Sequence, residues 1–411
     1  MLAVSPGPLH VDSVALAYNK VVMYYSTSLS FSLKKKPDLK WKLKNNVSSV
    51  SFCPKGKRIL ITVSAAERFI VIGIDEKTYV ELSEPLSGSG LVNSIWPFDN
   101  WIVTFADFGL HLSLWNAPSL LKIAQPDRIL KPKCSIYNRD TFVLDFYSSA
   151  PTNFDYIAVA HGESFVSIFC SELNENDWKI LAKWESPFIE GIFWVDDLQV
   201  LTWSDMVYGG ELLLRNAIDG STLKAFGKQI TSLCLSTNKF LAYVKSEGMN
   251  SFLNLIRFYP SEKNFPLKST FSDIIKMTWN LDSSRLAVIA QVTSLQTKIK
   301  MSQEEHYSIV FCYFEAQYCE ENIIRFPLDF HQFVDFSWNP VSFNCCIVLA
   351  KHVVYLWRGK HENEDEKFII VFQEKKSLKN AFWNSIGSLL FLTFEKEQEI
   401  PITLSLGHLI L

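Results

Sequence analysis

The chain has 411 residues, of which 48% are hydrophobic and 20% charged, and this composition excludes a largely disordered protein. Forty basic and 43 acidic side chains leave a net charge of −3, which argues against a protein whose main work is to wrap nucleic acid. The sequence contains no GxGxxG or GxxxxGKS/T motif, and its scattered cysteines and histidines have no zinc spacing. We therefore expect no cofactor and no metal.

Short apolar runs rich in Val, Ile, Phe, Tyr and Trp recur along the chain, and polar clusters separate them. Examples in chain order are residues 58–63, 69–73, 101–105, 211–215 and 352–357. Such runs are typical of β-strands, and no stretch of 12 or more residues has a clean helical period. The most continuous apolar stretch, residues 345–357, is far shorter than the roughly 20 residues of a membrane span. The sequence predicts a soluble, intracellular and nearly all-β protein with no membrane span.

One short sequence motif recurs in these strands: a small polar residue, an apolar residue, any residue and then a large apolar residue that we call the anchor. The anchors are Leu16, Phe52, Trp96, Phe146, Trp194, Leu235, Trp279, Trp338 and Trp383. Their spacings range from 36 to 59 residues, close to the period of about 40–45 in WD40-type blades. Blades stack radially because a single blade cannot cover its own apolar faces. We predict a WD40-like β-propeller over residues 1–411, with about nine repeat units and at least seven blades, as one large ring or two packed arcs.

Two features depart from the usual WD repeat. The Trp-Asp dipeptide is missing, and its nearest matches are Trp115-Asn116 and Trp357-Arg358. We therefore expect aromatic packing to replace most of the polar network between blades, with Trp194, Trp279, Trp338 and Trp383 on inner strands between neighbouring blades. Residues 291–306 are a polar insertion that we expect to form an exposed loop.

The sharpest charge feature is a run of six lysines in residues 34–44, interleaved with Trp41: Lys34, Lys35, Lys36, Lys40, Lys42 and Lys44. One interpretation is a binding site for an acidic partner such as a tubulin tail, a phosphate group or a lipid. The other is an outer strand on which Leu39, Trp41 and Leu43 alternate with solvent-facing lysines that block edge-to-edge aggregation. The sequence leaves both open, and these lysines are its only candidate binding residues.

Several blade-like segments resemble a known family. They are residues 90–96 with 111–115, residues 155–160 with 165–170, residues 191–194 with 200–205 and 218–220, and residues 335–340 with 354–357. Their order and spacing resemble the WD-repeat protein eight family, also called the WRAP-seventy-three family, of centrosomes and fungal spindle pole bodies. The likeness covers most of the chain and is strongest over residues 90–226 and 335–395.

This resemblance implies a non-enzymatic adaptor. Family members partner with a coiled-coil protein, and the pair brings a minus-end-directed kinesin-14 to the spindle pole, where it anchors microtubule minus ends in mitosis. The implied location is the cytoplasm, the cytoskeleton and the spindle pole body or centrosome, with the nucleus added during closed mitosis. The family defines no catalytic or ligand residues to carry over.

Two other functions stay open on the sequence. One is a generic WD-repeat scaffold for another complex, such as RNA processing or substrate capture by a ubiquitin ligase. The other is a propeller enzyme with catalytic carboxylates or a tyrosine on its central loops. The near-neutral charge and the lack of a catalytic constellation favour the adaptor.

Overall fold

The chain is built from short antiparallel strands in two compact units, residues 1–208 with 212–226 and residues 209–211 with 227–411. The computed structural model describes residues 2–4, 13–26, 37–63, 68–74, 78–83, 93–98, 101–106, 111–116, 134–137, 142–149, 153–161, 165–172, 178–186, 188–204, 206–248, 250–259, 262–265, 267, 270–293, 307–314, 319–325, 332–342, 344–359, 367–384, 386–395 and 402–406. Within these ranges the helical content includes a 3-10 turn at Met206–Tyr208, and no helix is long and apolar enough to cross a bilayer.

The first unit contains five four-stranded meanders, each of which we call a blade. Blade 1 comprises β1 Leu2–Val4, β2 Ser13–Tyr18, β3 Val21–Ser26 and β4 Leu39–Lys42, and blade 2 comprises β5 Val47–Phe52, β6 Arg58–Val63, β7 Arg68–Gly73 and β8 Thr78–Ser83. Blade 3 comprises β9 Asn93–Phe98, β10 Trp101–Ala106, β11 His111–Asn116 and β12 Cys134–Tyr137. Blade 4 comprises β13 Phe142–Ser149, β14 Phe154–His161, β15 Phe165–Glu172 and β16 Lys179–Glu185, and blade 5 comprises β17 Ile189–Asp196, β18 Gln199–Ser204, β19 Leu212–Asn216 and β20 Thr222–Gly227.

The second unit contains four blades, of which the first two are joined into one sheet by a single pairing between Ser251 and Phe271. Blade 6 comprises β21 Ile230–Leu235, β22 Phe240–Glu247, β23 Asn250–Arg257 and β24 Lys263–Phe265, and blade 7 comprises β25 Thr270–Trp279, β26 Arg285–Thr293, β27 Tyr307–Phe314 and β28 Cys319–Arg325. Blade 8 comprises β29 Phe333–Trp338, β30 Cys345–Ala350, β31 Val353–Arg358 and β32 Lys367–Gln373. Blade 9 has three described strands, β33 Leu378–Trp383, β34 Leu389–Phe394 and β35 Ile402–Ser405.

The first strand of six blades carries a β-bulge at the same place, between the residues five and three positions before the anchor. The six pairs are Val47/Ser49, Ile189/Gly191, Ile230/Ser232, Ile274/Lys276, Phe333/Asp335 and Leu378/Asn380. A bulge adds one residue to a strand and increases its local twist. The repeat is therefore visible in the position of the bulge as well as in the large anchor residue.

Each apolar core is shared by two successive blades. One cluster combines Ile289 and Phe311 of blade 7 with Trp338, Val348 and Trp357 of blade 8. Other clusters join blades 1 and 2, 3 and 4, 4 and 5, 6 and 7, and 8 and 9. A blade buries its faces only against its neighbours, which is the packing expected of a repeat protein.

The four anchor tryptophans lie on first strands and pack in these shared cores, which confirms the predicted packing between neighbouring blades. Each indole Nε1–H donates to a backbone carbonyl oxygen one residue before the anchor of the preceding blade. The four bonds are Trp194 to Asp145 at 3.3 Å, Trp279 to Cys234 at 3.3 Å, Trp338 to Thr278 at 3.0 Å and Trp383 to Ser337 at 3.5 Å. The anchor tryptophan thus also supplies a hydrogen bond between adjacent blades.

The structure adds detail to two expectations from the sequence, the anchor Leu16 and the insertion at residues 291–306. Leu16 lies on β2, the second strand of its blade, whereas the other eight anchors lie on first strands. The anchor of blade 1 is shifted by one strand because β1, which precedes Leu16, has only three residues and lacks the recurring motif. In the expected insertion, Gln291 to Thr293 complete β26, and residues 294–306 lie outside the described residues.

Candidate interaction surface

The turns between first and second strands form a linked row in the second unit. They span residues 236–239, 280–284, 339–344 and 384–388, with residues 343 and 385 outside the described residues, and we call them the turn row. The anchor bonds place the ends of successive first strands side by side, since Trp338 Nε1 donates to Thr278 O and Trp383 Nε1 donates to Ser337 O. The turns that follow these strands are therefore neighbours.

A buried polar residue organises each turn from within. The Asn280 Oδ1 accepts from the backbone N–H of Arg285 at 2.9 Å, and Asn384 Oδ1 accepts from Leu389 N–H at the same distance. The Asn339 Oδ1 accepts from the N–H groups of Val341 and Ser342 at 2.9 and 2.8 Å. These three asparagines are at most 2% exposed, so their amides bond to the protein and not to the solvent.

Hydrogen bonds also run from one turn to the next. Asn238 Nδ2 donates to Asp282 O at 2.7 Å, and Thr237 Oγ1 donates to Leu281 O at 2.9 Å. Farther along the row, Asn339 Nδ2 donates to Gly387 O at 2.7 Å. Side chains of adjacent blades thus join the turn of blade 6 to that of blade 7 and the turn of blade 8 to that of blade 9, so the turn row forms a hydrogen-bonded platform.

Aliphatic side chains project from this platform. Leu281 and Val341 are each 64% exposed, and Ile386 is 54% exposed. Isolated exposed aliphatic residues are common, but tight turns usually carry Gly, Pro, Asn, Asp or Ser. One aliphatic tip in each of three successive turns is therefore a feature of the surface, and it suits contact with an apolar stripe on a partner.

The first unit has a smaller version of the same arrangement. In blade 5, Ala217 N–H donates to Leu198 O at 2.7 Å, which brings two turns together. Leu198 is 56% exposed and the adjacent Ile218 is 43% exposed. Asp196 Oδ1 and Asn216 Oδ1 cap the two turns by accepting from the N–H groups of Leu198 and Ile218 at 2.8 and 2.7 Å.

The lysine run predicted from sequence lies elsewhere, in the first unit. Lys40 and Lys42 are exposed on β4, the edge strand of blade 1, and Lys44 is exposed just beyond it. Leu39 and Trp41 turn the other way and pack on the core shared by blades 1 and 2, which confirms the predicted alternation. Lys34, Lys35 and Lys36 lie outside the described residues. Whether the run binds a partner stays a prediction.

Sequence reasoning missed the turn row, although a signal for it exists. Three anchors are followed by asparagine, as Trp279-Asn280, Trp338-Asn339 and Trp383-Asn384. The asparagine starts the turn, and an aliphatic residue follows it by one or two positions. A search for Trp-Asn in place of Trp-Asp finds all three, together with Trp115-Asn116, which lies on a third strand and not at an anchor.

Comparison with known proteins supports the fold and leaves the family open. No protein-family profile and no curated protein sequence matches the chain. The solved structure of the Dos1 propeller is similar with a TM-score of 0.56 and 12% identity, and the match covers 88% of this chain and 92% of that one. Hsv2 from Kluyveromyces marxianus gives a TM-score of 0.44 with 14% identity, covering 80% of this chain and 98% of that one. The strand order, the shared cores and the Dos1 likeness together identify the chain as a protein of the WD40-like β-propeller fold.

Proposed function

We propose that this chain is a non-enzymatic WD-repeat adaptor whose turn row docks an apolar face of a partner protein. The observation that supports this proposal is the exposure of Leu281, Val341 and Ile386 on turns that hydrogen bonds hold in fixed positions. A rigid surface binds at low entropic cost because little has to be ordered on association. A standard interface buries about 800 Å² on each partner, and three neighbouring blades offer room for it.

The more specific proposal is an adaptor of the spindle pole body or centrosome. There the partner of the turn row would be a coiled-coil protein, and the pair would bring a kinesin-14 motor to the pole to anchor microtubule minus ends in mitosis. This proposal rests on the resemblance of residues 90–226 and 335–395 to the WD-repeat protein eight family. A coiled coil presents apolar side chains at fixed helical spacing, which suits aliphatic tips in a row.

The test is affinity purification of the tagged full chain from mitotic cells, with its location followed by microscopy. The variant L281S/V341S/I386S should lose the coiled-coil partner and the motor. The matched control I180S/L223S/I370S truncates three aliphatic residues that are 50–65% exposed on outer strands, and it should retain both. Equal thermal melting of both variants would show that the loss is one of binding.

Two outcomes would contradict the proposal at different levels. If the protein is diffuse throughout mitosis and the motor is placed normally without it, the spindle-pole role is wrong. If the purified partners instead belong to RNA processing or to a ubiquitin ligase and still depend on the turn row, the generic WD-repeat scaffold is the correct function. Retention of all partners by the turn-row variant would show that docking uses another surface.

A further inference from the structure

Basic residues are concentrated at the start of the chain. The first 63 residues contain ten of the forty lysines and arginines but only two of the 43 acidic residues. The other 348 residues therefore carry an acidic excess. A near-neutral protein thus has one strongly basic region, which falls on blade 1 and the first two strands of blade 2.

Four of the described lysines of this region lie on or next to one edge strand, whereas Lys55 and Lys57 lie in the turn between β5 and β6. Lys40 and Lys42 project from the same face of β4, and their side chains are about 6.7 Å apart along an extended strand. Lys44 follows just after the strand, and Lys20 joins this end because the Leu43 N–H donates to Lys20 O at 2.7 Å. All four lysines are exposed.

None of these four lysines forms an ion pair with a described residue. The described residues from 13 to 63 include one carboxylate, Asp38, and its Oδ2 accepts from the N–H and Oγ of Ser26 at 2.6 and 2.7 Å. The other side of β4 is covered by β3, while its outer edge pairs with no strand among the described residues. The row is therefore a strip of like charges along an open strand.

We propose that this strip binds an extended acidic polypeptide segment that runs along β4. Carboxylates on alternate residues of an extended chain repeat at the same spacing as Lys40 and Lys42, so each would meet one ammonium group, and Lys44 and Lys20 add positive charge where the strand ends. Lysines on an edge strand repel most strands, but an acidic strand is the exception because its charges are complementary.

The apolar residues of β4 favour a polypeptide over the other anionic partners. A membrane-binding surface usually inserts aromatic or aliphatic side chains into the bilayer, and a single-stranded nucleic acid stacks its bases on aromatic rings. Trp41 and Leu39 are the residues of β4 that could do either, and both pack inward on the core shared by blades 1 and 2. The strip thus offers charge at regular spacing without an apolar or stacking contact.

The experiment measures binding of a fluorescent peptide of alternating Glu and Thr to the full chain by anisotropy, at low and at high salt. The variant K40Q/K42Q/K44Q should bind about tenfold more weakly, since exposed ion pairs contribute modestly and the effect of three is combined. The control K351Q/K375Q/K379Q removes three exposed lysines of the second unit and should bind as the wild type does. High salt should weaken the wild-type complex.

Three further arms decide between partners. A peptide of the same composition with its glutamates in one block should bind at least threefold more weakly, and equal binding would overturn the alignment along β4. Binding of phosphatidylserine-rich vesicles or of oligouridine through the same lysines, without binding of the peptide, would overturn the choice of a polypeptide. The turn-row variant should bind the peptide normally, so a failure of the proposed function leaves this result interpretable.

Discussion

The side-chain amide of Asn339 donates to the carbonyl oxygen of Gly387 and thereby joins the turns of blades 8 and 9. Gly387 has a φ of +69°, and a Cβ at this position would collide with the Asn339 side chain. The absence of a side chain at 387 thus serves two purposes: it permits a left-handed backbone and it leaves space for the amide of the neighbouring blade.

The substitution Gly387→Ala should lower the free energy of unfolding by about 3 kcal/mol. About 1–2 kcal/mol comes from the left-handed conformation, and the rest comes from displacing a buried hydrogen bond. Gly248→Ala is the matched control, because Gly248 has a φ of +66° and no heavy atom lies within 4 Å of the point where an added Cβ would stand. Urea denaturation should show a loss of about 1–2 kcal/mol for the control, and equal losses would show that the contact with Asn339 contributes nothing.

Truncation of an anchor tryptophan should be strongly destabilising. Trp194, Trp279, Trp338 and Trp383 pack between blades, so replacement of any one by Ala should cost about 3–5 kcal/mol. Trp338→Phe retains much of the packing but removes the hydrogen bond to Thr278 O. Its smaller loss of unfolding free energy would measure the contribution of that hydrogen bond. Unchanged melting temperatures for all four Ala variants would mean that the repeat assignment is wrong.

A buried indole in blade 8 has no hydrogen-bond partner among the described residues, and the repeat shows how to supply one. In blade 3, Trp115 Nε1 donates to Thr104 Oγ1 at 2.8 Å, and Thr104 lies two residues beyond the residue that pairs with Trp115. In blade 8 the corresponding position is Val348, and Trp357 Nε1 lacks a partner.

The substitution Val348→Thr should therefore be better tolerated than a threonine elsewhere in this core. A buried hydroxyl usually costs about 1–3 kcal/mol, but at position 348 it can accept from Trp357 and relieve an unsatisfied donor. Val354→Thr introduces the same hydroxyl at another fully buried position of blade 8 and should incur the full cost. In chemical denaturation, Val348→Thr should have a free energy of unfolding at least about 1 kcal/mol higher than Val354→Thr. The reverse order would contradict a hydrogen bond from Trp357 to the new hydroxyl.

Two cysteines should make the stability fall at alkaline pH. Burial raises the pKa of Cys234 to about 12 and likewise raises the pKa of Cys345 to about 12, whereas a thiol in the unfolded chain titrates near about 8.5. Between these values the unfolded chain loses protons that the folded chain keeps, so stability falls as pH rises, by up to about 1.4 kcal/mol per pH unit for each thiol.

The measurement is urea denaturation of the wild type and of C234A/C345A at about pH 8 and about pH 11. The double variant is expected to be less stable at the lower pH because it loses packing, but its decline toward the higher pH should be shallower. Identical declines would mean that other groups, such as Tyr243, whose pKa burial also raises, account for the whole effect.

Much of the fold can be read from the sequence because the burial pattern is local. The runs that precede Trp194, Trp279, Trp338 and Trp383 predict first strands, and the indole bonds confirm that these residues are equivalent. The turn row was not predictable in the same way, since Leu281 and Val341 are single aliphatic residues whose exposure depends on how the neighbouring turns pack. The alternation of Lys40 and Lys42 with Leu39 and Trp41 could be predicted because alternation is a property of the strand alone, whereas Lys44 lies just beyond the strand.

The recurring bulge has a consequence for how this sequence can change over evolutionary time. The bulged residues of the six blades are Ser48, Glu190, Thr231, Ile275, Val334 and Lys379, which share no chemical character. What the blades share is a fixed count of residues from the bulge to the anchor. A one-residue deletion there would turn every following side chain to the opposite face of the sheet, while most substitutions would leave the geometry intact. Selection on length more than on residue identity would let the side chains at these positions change freely.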